Sequence, residues 1–247
     1  MLPAVSIEQI VASGVEVWKP HGILLLNAGQ IADELTGALN TGTPYSLVRL
    51  GDGELLALAQ EHVLPMDRIR KDGRFLSSAG VNIPDPDTRD RLLAAVRQAN
   101  AVGIPRLRKE NFQLLAFFSV FQTYGLDFRQ LRLTHSLVNY YLCTEQRLGS
   151  ILRGRQVLLI GNAAHDLAKI LSEKRHSGVG NHFPVQGVKD VERVISEAHS
   201  AAFDIALVSA GIAAVIIVQR IASELGKVAV DFGHLADSLA AGKEALI

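Results

Sequence analysis

Cysteine is almost absent from this chain: 247 residues contain one, Cys143. A lone thiol excludes an internal disulfide and suits a reducing cytoplasm, where the protein is expected to reside. Its apolar neighbours Tyr140, Tyr141 and Leu142 read it as a small buried hydrophobe ahead of a nucleophile. Net charge is missing as well, since 25 Lys plus Arg balance 25 Asp plus Glu. No basic field therefore marks nucleic acid as a partner. The richest apolar window, Ile205 to Val218, is broken by Ser209 and Gly211 and falls short of the roughly 20 residues that cross a bilayer. Residues 1–17 lack a positive n-region and alternate polar with apolar residues in an amphipathic fashion, so no secretory signal is expected. Gly-x-Gly-x-x-Gly, a Walker A sequence and Gly-x-Ser-x-Gly are all absent, which argues against a nicotinamide dehydrogenase, a P-loop enzyme and a serine hydrolase.

What remains is a chain that is 48% hydrophobic, enough to bury one large core in a single domain over residues 1–247. A helical segment at 1–43 precedes a core at 44–247. The second half alternates β-branched runs with helical patterns: a strand at Gln156–Ile160, a helix from Ala163, a strand at Phe183–Val185, a helix from Val188, a strand at Ile205–Ser209, a helix from Ile212 and a strand at Lys227–Asp231. Right-handed crossovers then give a largely parallel sheet with helices on both faces, an α/β Rossmann-like three-layer sandwich. In the first half, Ser6-Ile7-Glu8-Gln9 has capping-box spacing and Tyr45–Leu50 reads as a strand. Asp85-Pro86 opens a helix to about Asn100, and Ala101–Ile104 reads as another strand. A helix from about Lys109 to Tyr124 places Phe112, Leu115, Phe118 and Val120 in the core. Met66 to Asp85 carries little pattern and reads as a loop region able to cover a site. Basic clusters at Arg68, Arg70, Lys71 and Arg74, and at Arg106, Arg108 and Lys109, read first as solvated faces and second as peripheral contacts with an anionic acceptor or membrane surface.

In doubly wound sheets ligands gather at the carboxyl ends of strands, so the polar residues that follow each apolar run carry the functional signal. After Val48–Leu50 come Gly51, Asp52, Gly53 and Glu54. In extended backbone Asp52 and Glu54 point the same way and share one cation; an ordinary surface turn is the alternative. Gly161 and Asn162 follow one strand, and Ser209 and Gly211 another. Both loops open helices whose free N–H groups favour a phosphate, or are simply tight turns. After the last strand, Asp231 and His234 flank Gly233. A mixed Asp/Glu/His set suits Mn²⁺ or Mg²⁺ with phosphate oxygens and water, while a cap on the terminal helix explains the pair equally well. His165, His176 and His182 with Asp166 match no zinc spacing and are set aside, the last two histidines in a surface loop. His135, Ser136, Asn139 and Tyr140 read as a helix start capped by Ser136, with contact to a sugar or acceptor as the second reading.

Two of these stretches resemble one family. Val48-Arg49-Leu50-Gly51-Asp52-Gly53-Glu54 and Val230-Asp231-Phe232-Gly233-His234 are similar to the Arg-Phe-Gly-Asp-Gly-Glu and late Asp-x-Gly-His motifs of GT-D-fold glycosyltransferases, with Leu50 in place of the aromatic residue. The resemblance runs from about Tyr45 to Leu235. It implies a hexosyltransferase that moves a sugar from a nucleotide sugar, a UDP-sugar by the same resemblance, to a hydroxyl of a glycan or glycoconjugate acceptor. It implies Mn²⁺ or Mg²⁺ held by Asp52, Glu54 and His234, which are also the catalytic candidates. Arg49, Gly51, Gly161, Asn162, Ser209, Gly211 and Asp231 then face the nucleotide sugar. Glu54, Asp231 or His234 serves as general base if the metal leaves it free. Competing readings are a non-catalytic nucleotide-binding or partner-binding module and a metal-dependent phosphohydrolase. The oligomeric state is left open.

Overall fold

The computed structural model describes residues 5–105, 112–173 and 178–244. Its elements in chain order are α1 (Ile7–Trp18), α2 (Ala28–Thr41), β1 (Tyr45–Arg49), α3 (Asp52–Ala59), α4 (Met66–Asp72), α5 (Pro86–Gln98), β2 (Ala101–Ile104) and α6 (Phe112–Thr123). There follow β3 (Leu133–His135), α7 (Val138–Thr144), α8 (Leu148–Leu152), β4 (Gln156–Gly161), α9 (Ala164–Glu173), β5 (Gly178–Phe183), α10 (Val191–His199), β6 (Ile205–Ser209), α11 (Ile212–Leu225), β7 (Val228–Asp231) and α12 (Leu235–Ala240). Arg106, Arg108, Lys109 and His176 lie outside the described residues, as do the side chains of Phe112 and Leu115.

Among the described residues the strands form one seven-stranded sheet in the order β3-β2-β1-β7-β6-β4-β5, parallel throughout. Successive side chains of a strand face opposite sides, and the core divides accordingly. Val48, Leu158, Ile160, Ala206, Val208 and Ala229 join one apolar cluster with α3, α5, α6, α10 and α11. Leu47, Val157, Leu159, Ile205, Leu207 and Val230 join the other with α2, α7, α8, α9 and α12. The result is the expected three-layer α/β sandwich. Helix α11 buries ten of its 14 residues, which accounts for the near-continuous apolar run that began at Ile205.

Local signals hold where capping chemistry is explicit. Ser6 and Gln9 form the reciprocal capping box of α1, and the Asp85 carboxylate accepts from the Thr88 N–H at 3.0 Å to open α5. Elsewhere elements depart from expectation. The strand expected at Phe183–Val185 is β5 at Gly178–Phe183, an edge strand whose Asn181 and His182 are exposed. An edge strand with a solvated face needs no apolar alternation, so the pattern pointed to the buried Val185 beyond it. The Met66 to Asp85 segment is not irregular throughout, because α4 occupies its start. Helix α7 begins at Val138 after a Leu137 cap with no side-chain bond, not at a Ser136 cap. Cys143 is a buried residue of α7. Among the described residues no helix is long and apolar enough to cross a membrane.

Candidate active site

Chain direction across the sheet reverses around β1 and β7: β1, β2 and β3 step one way, whereas β4 to β7 fill the other side. A parallel sheet opens a crevice at such a reversal, beyond the carboxyl ends of its strands. A cavity of about 830 Å³ lies there. Its walls include the exits of β1 (Arg49 to Glu54), β3 (His135 to Leu137), β4 (Asn162, Ala163), β6 (Ser209 to Gly211) and β7 (Asp231, Gly233, His234). Nine of the ten sequence-nominated residues line this one cavity: Arg49, Gly51, Asp52, Glu54, Asn162, Ser209, Gly211, Asp231 and His234. Gly161 is buried at the end of β4. At its φ of 134° a Cβ would stand 2.1 Å from the Ser209 carbonyl oxygen, so a side chain there would push the exits of β4 and β6 apart.

The β1 exit does not stay extended. Asp52 and Glu54 occupy the first turn of α3, with Gly51 as the cap residue. Two residues apart on a helix, their side chains diverge by about 200°, so they do not share one face. Glu54 instead folds back and accepts from the Gly51 N–H at 2.8 Å, the returning half of a capping box. This half-buried carboxyl is pushed up to about 7, first by burial and then by the Asp231 charge, against the opposing pull of the backbone N–H donors and Arg49. Asp52 remains exposed, its carboxylate engaged with the neighbouring Gly53 N–H at 3.0 Å.

The β7 exit is built in the opposite way. Asp231 is 4% exposed and accepts from Arg49 Nη2 at 2.8 Å, while its backbone carbonyl accepts from Arg49 Nε at 2.9 Å. Arg49 also donates through Nη1 to the Ser136 carbonyl at 2.9 Å and to Asn139 Oδ1 at 3.3 Å. Asn139 in turn donates to the Phe232 carbonyl at 2.7 Å. One guanidinium thus ties together β1, β7 and the β3–α7 turn, and its hydrogen bonds face inward. Burial raises the Asp231 carboxyl above its ordinary value, with Arg49 pulling the other way. Gly233 makes the arrangement possible: its φ is 51°, and a Cβ there would lie 1.8 Å from Arg49 Nη2.

His234 occupies the cap position of α12, exposed and without a side-chain capping bond. Among the described residues no three Asp, Glu, His or Cys groups converge as a ready-made metal cage. The donor chemistry fits a more open arrangement, because Mg²⁺-like cations commonly take one or two carboxylates and complete their shell with water and substrate phosphates. Asp52 and Asp237 are the exposed carboxylates on the cavity wall, and Asp52, at the β1 exit, is the one that would hold such a cation. Glu54 Oε2 and Asp231 Oδ1 already accept hydrogen bonds from the protein. His165 and His182 lie 5.4 Å apart between ring centroids with their planes tilted by 50°, and neither lines the cavity.

Sequence reasoning missed Phe75, Ser78, Gln186 and Asp237, which also line the cavity. None ends a strand, so the strand-end rule passes over them. The covering role expected of Met66 to Asp85 is nevertheless where Phe75 and Ser78 come from. Phe75 supplies an exposed ring beside Gly53.

Comparison with known proteins agrees with this architecture. No curated protein matches the chain. A solved structure, described as showing that the highly conserved domain of unknown function 1792 has a distinct glycosyltransferase fold, aligns over 89% of this chain and 82% of its own, with a TM-score of 0.53 and 15% identity. That likeness extends to the fold. A family model for the GT-D fold-like domain matches residues 26–239, which take in the whole sheet and every wall of the cavity, and the chain therefore belongs to the GT-D-like family.

Proposed function

We propose that the protein is a glycosyltransferase that moves a sugar from a nucleotide sugar, a UDP-sugar on the family resemblance, to a hydroxyl of a glycan or glycoconjugate acceptor. The observation that carries the reading is the convergence on one cavity of an exposed carboxylate, Asp52, with the opening residues of α9 and α11. Unpaired backbone N–H groups at helix starts attract phosphate, and a diphosphate leaving group is what such a transfer releases. Asp52 would hold Mn²⁺ or Mg²⁺ together with the diphosphate oxygens. The cation would act as a Lewis acid toward the charge that builds on the leaving group. Gly51, Asn162, Ser209 and Gly211 would face the donor, and the Phe75 ring would offer a flat apolar surface to a base or sugar.

Glu54 is the residue best suited to take the acceptor proton. A carboxyl held near 7 is poised between its two states at neutral pH, which is where a general base works well. Asp231 is committed to Arg49, and Arg49 fixes the walls instead of reaching for phosphate. His234, exposed at the rim, would meet either the donor or the acceptor.

Titration calorimetry with UDP, GDP, CDP and TDP, each with and without Mn²⁺, tests the donor class and the cation together on wild type and Asp52→Asn. The expected result is manganese-dependent binding of UDP that the variant loses. Binding of no nucleoside diphosphate under either condition would overturn the transferase reading.

A further inference from the structure

Helix α1 lies outside the family match, which begins at residue 26, and none of its residues is buried. At 100° per residue, Ile7, Ile10, Val11, Val15, Val17 and Trp18 fill one arc of roughly 160°, and Glu8, Gln9, Ser13 and Glu16 occupy the other side. That apolar arc faces solvent: Ile7 is 76% and Trp18 68% exposed, and the extended Leu24 just beyond is 94% exposed. Residues 5–25 contribute nothing to either core cluster. A lone helix of 12 residues is marginal in water even with good caps, since most helix stability in proteins comes from packing of the apolar face. A stripe this clean on a helix this short calls for a covering surface.

We propose that the cover is α1 of a second copy, packed antiparallel about a two-fold axis. Charge decides among the possible occupants. Helices that lie in a membrane interface carry Lys and Arg on the polar arc, whereas the polar arc here carries Glu8 and Glu16, which anionic headgroups repel. An antiparallel copy answers both ends of the helix. It brings Glu8 near the start of one α1 to Lys19 just past the end of the other, and the two-fold axis repeats the pairing. Within its own chain Lys19 makes a loose 3.4 Å pair with Glu16, both side chains exposed, which is worth little in water and leaves Lys19 available. Opposed helix dipoles favour the same orientation. The exposed Ile23, Leu24 and Leu25 extend the apolar surface beyond each helix end.

Sedimentation velocity of the full chain over a micromolar range tests this on wild type, Val11→Glu, Glu8→Lys and the swap Glu8→Lys/Lys19→Glu. A wild-type dimer is expected, weakened on the order of a hundredfold by Val11→Glu, which places charge in the seam. Glu8→Lys alone weakens the dimer and the double swap restores it. Thermal unfolding of Val11→Glu should match wild type at concentrations where both are monomeric, because α1 buries nothing in the body of the protein. A wild type monomeric throughout, a dimer indifferent to Val11→Glu, or a double swap no stronger than the single overturns the proposal. So does a monomer whose pelleting with phosphatidylcholine or phosphatidylglycerol vesicles is lost in Val11→Glu, which would make the bilayer the occupant.

Discussion

At the end of β7 the chain places Asp231 in the interior, 4% exposed and gripped by Arg49 at 2.8 Å. On the adjacent strand, the end of β1 places Asp52 on the surface of the same cavity, with no ion pair among the described residues. Both are aspartates at strand ends facing one ligand space, and burial makes the difference between them. A carboxylate taken out of water must be answered by a fixed cation and fixed donors, and the group so answered becomes part of the frame. A carboxylate left in water keeps its capacity for a ligand that arrives later. Between the two lies Glu54, half-buried, answered by the Gly51 N–H and disfavoured as an anion by burial first and by Asp231 second.

The sharpest way to break this contrast is to remove the cation. Arg49→Ala strands the Asp231 carboxylate in the interior and cuts four hydrogen bonds that join three strand exits. Removing one partner of a buried pair costs about 3–5 kcal/mol. Urea unfolding should show a loss of that size, measured at neutral pH. A loss under about 1 kcal/mol, the worth of a surface pair, would mean that Asp231 is no more built into the frame than Asp52.

This difference between the two aspartates was not visible in the sequence, although most of its setting was. Alternation in β1, β4, β6 and β7 and the glycines at their ends locate the sheet and the cavity rim, because strand periodicity and turn chemistry are local properties. Asp52 and Asp231 both follow apolar strands and look equivalent there. What separates them is the placement of Arg49, 182 residues from Asp231 in the chain and adjacent to it only once β1 lies beside β7. The divergence of Asp52 and Glu54 was hidden for a different reason: a two-residue spacing means one face in a strand and opposite faces in a helix, and the helix begins at Asp52 itself. Phe75 and Gln186 reach the cavity from segments without periodicity, so only the folded chain brings them in.

The intermediate carboxyl gives a smaller effect of opposite sign. Folding raises Glu54 from 4.5 to about 7, so across that interval the folded chain holds a proton that the unfolded chain releases. Its contribution is therefore fully present below about pH 4.5 and declines until about pH 7, above which the buried charge is a constant cost. Glu54→Gln keeps the shape and the acceptor for the Gly51 N–H while removing that charge. The variant is expected to match wild type near pH 4 and to exceed it by about 1–2 kcal/mol at pH 8, after allowance for its partial exposure. Wild-type transfer should rise with pH through about 7 as the base form appears, and Glu54→Gln should lose that rise along with its activity. A stability difference that stays flat from about pH 4 to 8 would mean that folding does not raise the Glu54 carboxyl.

The smallest expected effect on the fold belongs to Asp52, and its smallness is what gives it meaning. Asp52→Asn keeps a side-chain oxygen for the Gly53 N–H and removes a charge that already faces water, so stability should stay within about 0.5 kcal/mol of wild type. The ability to hold a divalent cation against a diphosphate should suffer far more, with transfer reduced about a hundredfold or more at saturating Mn²⁺. Chemical denaturation and transfer assays on one preparation compare the two losses directly. Equal losses would make Asp52 a second Asp231, a group whose work is to hold the chain together. A large loss of transfer on an unchanged unfolding curve would assign the two aspartates to different work, because the stability that Arg49 and Asp231 give the walls is what allows Asp52 to stay at the surface between them without a cationic partner among the described residues.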